Sequence, residues 1–139
     1  MNSPLIHSLQ HAAPEILPGY PVLFAYVYGS YATGCANAFS DLDIGVYLHP
    51  GSTHHSLEVE LDLALELDRS LGHKVETEVR AINSLPLMFL GRIVTDGILL
   101  YSRDESARVE FEVGVRKRYF DFLPVIREYH RTYIKTATK

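Results

Sequence analysis

Two short segments of this sequence carry residues whose types and spacing could bind a phosphate and a metal ion. Gly29-Ser30 ends one apolar run and Asp41-Leu42-Asp43 begins the next, with residues 31–40 between them. A Gly-Ser corner between a strand and a helix lets the backbone approach a ligand closely, and its N–H groups and hydroxyl can bind a phosphate. Aspartates at positions i and i+2 of a strand direct both carboxylates to one face. Because Mg²⁺ is bound by a few carboxylates together with substrate phosphates, the pattern indicates a metal-bridged triphosphate.

The apolar patterning predicts that these residues lie at the ends of strands. Residues 22–28 are β-branched and aromatic, which is typical of a buried strand, and residues 41–48 alternate as in a second strand. Residues 74–82 also alternate, and residues 98–101 form a shorter apolar run. Helical segments lie between these strands, so the sequence predicts an α/β or α+β domain.

Helices are predicted over residues 4–13, 56–71, 85–95 and 105–136. In the second of these, Leu57, Leu61, Leu65 and Leu71 recur near helical spacing, and we expect this row to face the core rather than to form a dimer zipper.

Capping residues and prolines suggest where these helices begin and end. Ser3-Pro4 and Asn83-Ser84 are expected to cap the first and third helices. Pro14 is expected to belong to a turn, and Pro124 to mark a break or a helix start.

The combination Gly-Ser, ten residues, Asp-x-Asp resembles the signature of the polymerase-β-like nucleotidyltransferase superfamily. The match lies in Tyr28-Gly29-Ser30-Tyr31 and Ser40-Asp41-Leu42-Asp43, and the similarity extends over about residues 20–105. The short chain resembles the minimal nucleotidyltransferases (MNT). Its aromatic C-terminal segment is similar to that of the MNT antitoxins that pair with HEPN-domain toxins, the MntA type of HepT/MntA systems. The resemblance implies a small mixed sheet flanked by helices, with residues 1–102 as the catalytic core and residues 103–139 as a helical tail packed on it.

The resemblance also implies a third carboxylate on the strand after the amphipathic helix. The family usually has aspartate there, whereas this strand offers Glu76 and Glu78. Counting back from Asn83 favours Glu78, with Glu76 as the alternative; a purely solvent-facing role for both stays open. Glu78 would bind metal and help to deprotonate the attacking hydroxyl. The implied ligands of Mg²⁺, expected as two ions, are Asp41, Asp43 and Glu78, and the implied nucleotide-binding residues are Gly29 and Ser30.

The function implied by the resemblance is transfer of AMP from ATP to a tyrosine hydroxyl of a HEPN-family RNase toxin. This adenylylation would neutralise the toxin within a hetero-oligomeric complex. Two alternatives stay open: a non-catalytic antitoxin that acts by complex formation, and a transferase that modifies a small molecule such as an aminoglycoside. Relatives of the last kind usually carry an added helical domain for the acceptor, and residues 103–139 are short for that role.

Composition and charge exclude other classes of protein. Apolar residues make up 47% and charged residues 22% of the 139 residues, which is typical of a globular domain and not of a disordered chain. The longest apolar run, residues 21–28, is too short to span a membrane, so no membrane association is expected. The single cysteine, Cys35, cannot form an internal disulfide, which favours a cytoplasmic location.

The charge is divided unevenly along the chain. Residues 1–102 contain 4 Lys and Arg against 11 Asp and Glu, whereas residues 103–139 contain 9 against 6. The cations of this tail lie among aromatic residues, a pattern that could contact nucleic acid by charge and stacking. We expect instead a helix whose aromatic side chains pack on the core, without direct nucleic-acid binding. The residues concerned are Arg116, Lys117, Arg118, Tyr119, Phe120, Phe122, Arg127, Tyr129, Arg131, Tyr133 and Lys135.

Overall fold

A computed structural model of the chain describes residues 4–137, with side chains for all of these except 126 and 133–137. Helices and strands alternate along this part of the chain. In order they are α1 (Pro4–Ile16), β1 (Val22–Tyr28), α2 (Ser30–Thr33), β2 (Leu42–Leu48), α3 (Ser56–Ser70), β3 (Thr77–Ala81), α4 (Leu87–Asp96), β4 (Ile98–Ser102) and α5 (Glu105–Ala137). The expected cap Ser3 and the side chains of Tyr133 and Lys135 lie outside the described residues.

The four strands form one mixed sheet in the order β3-β2-β1-β4. β1 is antiparallel to both β2 and β4, whereas β2 and β3 are parallel. Parallel neighbours require a crossover connection, which α3 supplies. The register places Asp43 of β2 beside Tyr28 of β1 and beside Glu78 of β3. The predicted small mixed sheet flanked by helices is therefore confirmed.

Each face of the sheet is covered by its own helices. The aliphatic face, which packs against α1 and α3, buries Leu9, Ile44 and Leu63 completely. The aromatic face packs against α4 and the first part of α5. There the rings of Phe24 and Tyr47 stack with centroids 4.7 Å apart. Because side chains alternate along a strand, the same strands supply both cores.

The leucine row predicted to face the core from α3 is exposed. Leu57, Leu61 and Leu65 are 66%, 59% and 62% exposed, so that prediction is wrong. The buried row consists instead of Val59, Leu63, Leu67 and, just after the helix, Leu71.

Hydrogen bonds to the edge strand determine this rotation of α3. Asp68 Oδ1 accepts from the N–H of Thr77 at 2.8 Å, and Glu60 Oε2 accepts from the N–H of Ala81 at 2.8 Å. The face of α3 that carries Glu60 and Asp68 must therefore be turned toward β3. The two carboxylates also protect backbone donors that an edge strand would otherwise expose.

Three expectations about helix ends are wrong. Pro14 lies inside α1, which continues to Ile16. The fully buried Ala13 and Leu17, one before the proline and one just after the helix, hold this end of α1 against the core. Asn83 does not cap a helix: its side chain bonds to the N–H and C=O of Leu48 at 2.9 Å each, and α4 begins later, at Leu87. Pro124 lies within the continuous α5, because proline removes one backbone donor but has a helical φ.

The two parts of α5 differ in packing. Phe111 and Val115 belong to the aromatic-face core, and Tyr119 packs so closely on Gly91 of α4 that a Cβ at that glycine would overlap its ring. Phe120, Phe122 and Tyr129 are exposed, so the expectation that the aromatic residues of the tail are buried is wrong for these three. Among the described helices, none has the length and apolarity needed to cross a bilayer.

Candidate active site

The Gly-Ser corner is built around one backbone conformation. Gly29 follows the last residue of β1 with φ of +72°, a value that side-chain-bearing residues rarely adopt. An added Cβ would lie 2.5 Å from Oδ2 of Asp43, so the corner and this carboxylate are in direct contact. Ser30 begins α2, a single turn that ends at Gly34. Both parts of the sequence motif therefore meet at one point in the fold.

The aspartates lie where β2 begins. Asp43 points to the aromatic face and is half-buried, while Leu42 beside it is fully buried on the aliphatic face. Asp41 precedes the strand by one residue and is exposed. Asp43 thus faces the side that α4 covers, whereas Asp41 lines a depression together with Asp68 of α3.

The register of the parallel pair distinguishes the two candidate glutamates. Glu78 lies directly opposite Asp43, whereas Glu76 precedes β3 and its carbonyl accepts from the N–H of Leu42. Both glutamates are exposed. Glu76 lines a depression that also contains Asp41, and Glu78 forms an ion pair with Arg80 at 3.2 Å.

The carboxylates are close enough to influence one another. The pKa of Asp43 is raised, first by burial and then by the negative charges of Glu78 and Asp41, while Arg80 acts in the opposite direction. Concentrated negative charge of this kind favours a cation. In the structure the positive charge of Arg80 partly balances the negative charge of these carboxylates.

Carboxylates that could bind Mg²⁺ are present, but they do not form a complete set of ligands by themselves. Within residues 4–137 no three His, Cys, Asp or Glu side chains converge as a complete metal site. Mg²⁺ does not need one, because it retains waters and is usually held by one or two carboxylates plus substrate phosphates. The mutually repelling carboxylates Asp41, Asp43 and Glu78 are hard oxygen donors that fit this ion.

Aromatic and basic side chains enclose the site from β1 and α4. The ring of Tyr28 meets that of Phe89 edge-on at 5.5 Å, and the guanidinium of Arg80 lies 5.7 Å from the centre of the Phe89 ring. The pKa of Tyr28 is raised to about 12, chiefly by burial and next by the charge of Asp43. This hydroxyl is therefore protonated at neutral pH and available as a hydrogen-bond donor.

A cavity of about 380 Å³ opens beside Gly29 on the aromatic face. It is lined by Tyr28, Gly29, Thr33, Phe89, Arg92, Ile93 and Asp96. A larger depression of about 570 Å³ lies between α1 and the end of α3 and contains none of the candidate carboxylates. The smaller cavity is the relevant one, because it shares Gly29 with the motif.

Sequence reasoning missed the contributions of Tyr28, Phe89 and Arg92. Tyr28 could have been singled out, because it adjoins Gly29 at the end of a predicted strand. No sequence signal marks Phe89 or Arg92, which reach Gly29 only because α4 packs on β1.

The fold and the site together define a nucleotidyltransferase of the polymerase-β type. The model of the family described as polymerase beta, nucleotidyltransferase, matches residues 13–106, and the chain belongs to that family. The expected family is therefore confirmed. No curated protein matches the sequence of the chain.

Solved structures with a similar fold are MNT antitoxins and toxin–antitoxin complexes. One is a toxin–antitoxin with AMP-PNP, 18% identical, with a TM-score of 0.59 and coverage of 96% of this chain and 98% of that chain. A second is the tri-AMPylated Shewanella oneidensis HEPN toxin in complex with MNT antitoxin, at 16% identity, a TM-score of 0.62 and coverage of 96% and 99%. A third, the toxin–antitoxin MntA-HepT, is 15% identical, with a TM-score of 0.62 and the same coverage as the second. At these identities the likeness is one of fold.

Proposed function

We propose that the protein is an antitoxin that transfers AMP from ATP to a tyrosine hydroxyl of a HEPN-family toxin. The observation that carries this proposal is the contact of the Gly29 corner with Asp43, which in turn lies beside Glu78. This contact unites a phosphate-binding corner with a carboxylate cluster in a chain of the nucleotidyltransferase family. The fold shared with MNT antitoxin complexes, one of them with an AMPylated toxin, supports the choice of partner.

In this proposal the nucleotide occupies the cavity beside Gly29. The backbone at Gly29-Ser30 approaches the phosphates without interference from a side chain, because the corner residue has no Cβ. Arg92 supplies positive charge to the phosphates, and Tyr28 and Phe89 offer apolar ring surface to the nucleoside.

Asp41, Asp43 and Glu78 would hold Mg²⁺, which when bound neutralises phosphate charge and stabilises the charge that develops in phosphoryl transfer. The acceptor oxygen attacks the α-phosphorus, and the bond from this phosphorus to the bridging oxygen of the β-phosphate breaks. Pyrophosphate leaves, and AMP remains on the acceptor. The hydroxyl proton passes to a carboxylate, for which the exposed Glu78 is the proposed acceptor.

Label transfer tests the reaction. With the toxin as acceptor, ATP labelled at the α-phosphate should label the toxin, and ATP labelled at the γ-phosphate should not. Replacing Asp41→Asn together with Asp43→Asn should lower this transfer by roughly a thousandfold or more, because charge stabilisation in the transition state is lost. Asp62→Asn, which removes an exposed carboxylate from α3, is the matched control and should retain full transfer. Undiminished transfer by the double variant would refute the proposed site.

A second function, neutralisation by binding alone, is favoured by one observation. Residues 1–102 carry 11 Asp and Glu against 4 Lys and Arg, an excess that suits a basic partner. The double aspartate variant separates the two functions. If it protects cells from the toxin as fully as the natural protein, binding and not AMP transfer accounts for the neutralisation.

A further inference from the structure

One side chain near the candidate active site is exposed far beyond what its chemistry favours. Phe39 is 95% exposed, although the transfer of a phenylalanine side chain out of water is favourable. It lies two residues before Asp41, so its Cα is within about 7 Å of that of the aspartate. A macromolecule that brings a hydroxyl to the carboxylates must therefore pass close to this ring.

The turn that carries Phe39 is held by its own polar groups. The N–H of Phe39 donates to Asn37 Oδ1 at 2.8 Å, and the N–H of Asn37 donates to Ser40 Oγ at 2.9 Å. The N–H of Ser40 closes the turn on the carbonyl of Asn37 at 3.1 Å. These bonds hold the backbone of the turn that carries the exposed ring, which lowers the entropy lost when a partner binds.

Phe39 forms part of the rim of a second depression, of about 400 Å³, on the Asp41 side of the site. Its other lining groups are mostly polar and include Asp41, Asp68 and Glu76, with Lys74 and His73 as the basic members. It shares no lining residue with the cavity beside Gly29. The carboxylates thus have one depression on the Gly29 side and another on the Asp41 side.

In in-line phosphoryl transfer the attacking and leaving oxygens lie on opposite sides of the phosphorus, so the acceptor and the nucleotide need separate places beside the carboxylates. If the nucleotide fills the cavity beside Gly29, the attacking hydroxyl has to arrive from elsewhere. The depression with Phe39 on its rim contains Asp41 and is open for that approach.

We infer that this depression is the acceptor subsite, and that Phe39 anchors the protein segment that presents the hydroxyl. This inference rests on the proposed function, and it assigns the surface by which the protein would select the acceptor tyrosine. The segment it fits carries an apolar or aromatic side chain next to the acceptor tyrosine, to cover the Phe39 ring. It also carries basic residues that oppose Asp41, Asp68 and Glu76.

The test compares Phe39→Ala with Leu57→Ala, which removes an exposed apolar side chain at the start of α3, eleven residues before Asp68 of the depression. Neither substitution touches the core, so the thermal unfolding temperature should stay unchanged. Phe39→Ala should raise the KM for the toxin about tenfold or more, with the affinity for AMP-PNP unaltered, and Phe39→Leu should restore much of the loss. Leu57→Ala should leave both quantities as they are.

The dissociation constant of the complex with the toxin, measured without nucleotide, keeps this inference separate from the proposed reaction. If no label is transferred but Phe39→Ala weakens the complex about tenfold, the docking surface stands and the reaction fails. If label is transferred and Phe39→Ala alters neither KM nor complex affinity, the subsite is overturned while the reaction stands. A loss with Leu57→Ala and none with Phe39→Ala would also overturn it, because the toxin would then dock on α3.

Discussion

The two faces of the sheet are made by the same strands and yet have different tasks. The aliphatic face is covered along its length by α1 and α3, and its only buried polar side chain among the described residues is Thr77. The aromatic face is covered by α4 and the start of α5, which leave the end with Asp43 accessible. On β2, Leu42 and Ile44 are fully buried on the first face, and Asp43 between them serves the second.

The division of labour between the two faces allows a chain of this size to carry a site of concentrated negative charge. Burial of apolar side chains on the aliphatic face stabilises the strands. The alternate positions of those strands can therefore hold carboxylates whose burial and mutual repulsion oppose folding. The pKa of Asp43 is raised for both reasons, burial first. Substitutions on the two faces should therefore affect different properties of the protein.

The largest effect on stability is expected on the aliphatic face. Leu63→Ala should lower the free energy of unfolding by about 2–5 kcal/mol, because Leu63 is fully buried and its truncation leaves a cavity. Leu61→Ala, two residues away on α3 and exposed, should change it by less than about 0.5 kcal/mol. Denaturant unfolding measures both. Equal effects would mean that α3 packs with its other row of leucines.

The second largest effect is expected from a substitution at Gly29, which tests the contact between the Gly-Ser corner and the carboxylate of Asp43. Gly29→Ala should cost about 1–3 kcal/mol of stability, because φ of +72° with ψ of −153° is a conformation that essentially only glycine adopts, and its Cβ should displace Asp43. A displacement of this kind should lower AMP transfer about a hundredfold. Gly34→Ala is the matched control, because Gly34 has φ of +77° but nothing within 4 Å of an added Cβ. Gly34→Ala should lose about 1–2 kcal/mol of stability, because Gly34 is in the left-handed region, and it should retain transfer. Equal losses of transfer in the two variants would show that backbone strain alone is responsible.

A smaller effect on the free energy of unfolding is expected from removal of the charge at Asp43. Burial first, and then Glu78 and Asp41, raise the pKa of this carboxyl, so the folded protein holds its proton more tightly than the unfolded chain. As the pH rises from the ordinary value of 3.8 through the raised pKa of Asp43, the folded state loses stability relative to the unfolded chain. At pH 7 the ionised carboxylate therefore destabilises the fold. Asp43→Asn should therefore increase the free energy of unfolding at pH 7, measured in the presence of a chelator. The gain should shrink as the pH is lowered through the raised pKa toward 3.8, the ordinary value.

The control for this pH dependence is Asp62→Asn, an exposed position on α3, which should change stability little at either pH. A loss of stability in Asp43→Asn at pH 7 would mean that the carboxylate is held by favourable contacts in the fold.

The smallest effect on stability is expected at Thr77, the buried polar side chain on the aliphatic face. Within the described residues, Thr77 Oγ1 is buried and has no hydrogen-bond partner. Thr77→Val keeps the shape of the side chain and removes the unsatisfied hydroxyl, so it should raise the free energy of unfolding by about 1 kcal/mol. Thermal or denaturant unfolding measures the gain. A decrease would indicate that the hydroxyl has a partner in solution, such as a bound water.

Much of the fold was predictable because short-range patterns specify strands. The predicted strand over 22–28 matches β1, and the alternation in 41–48 corresponds to β2. The local signals at helix ends were less informative. Asn83 is polar and precedes a helix, but its amide instead bonds to the backbone of Leu48, a partner 35 residues away.

The leucines of α3 show why helical spacing alone was insufficient. Leu57, Leu61 and Leu65 recur every four residues, and so do Val59, Leu63 and Leu67. Periodicity indicates that an apolar row exists and does not say which of two rows is buried. The choice depends on Asp68 and Glu60, whose bonds to the edge of β3 fix the rotation of the helix.

The sequence by itself determined the family and placed the Gly-Ser corner and the aspartate pair at strand ends, because these depend on residue type and on local spacing. Only the tertiary structure decided what surrounds them. The strand register brings Glu78 opposite Asp43, the packing of α4 brings Phe89 and Arg92 to Gly29, and Phe39 is left exposed beside Asp41. The first two depend on contacts between elements distant along the chain. The outward position of Phe39 also depends on where the core lies, and no local pattern encodes that.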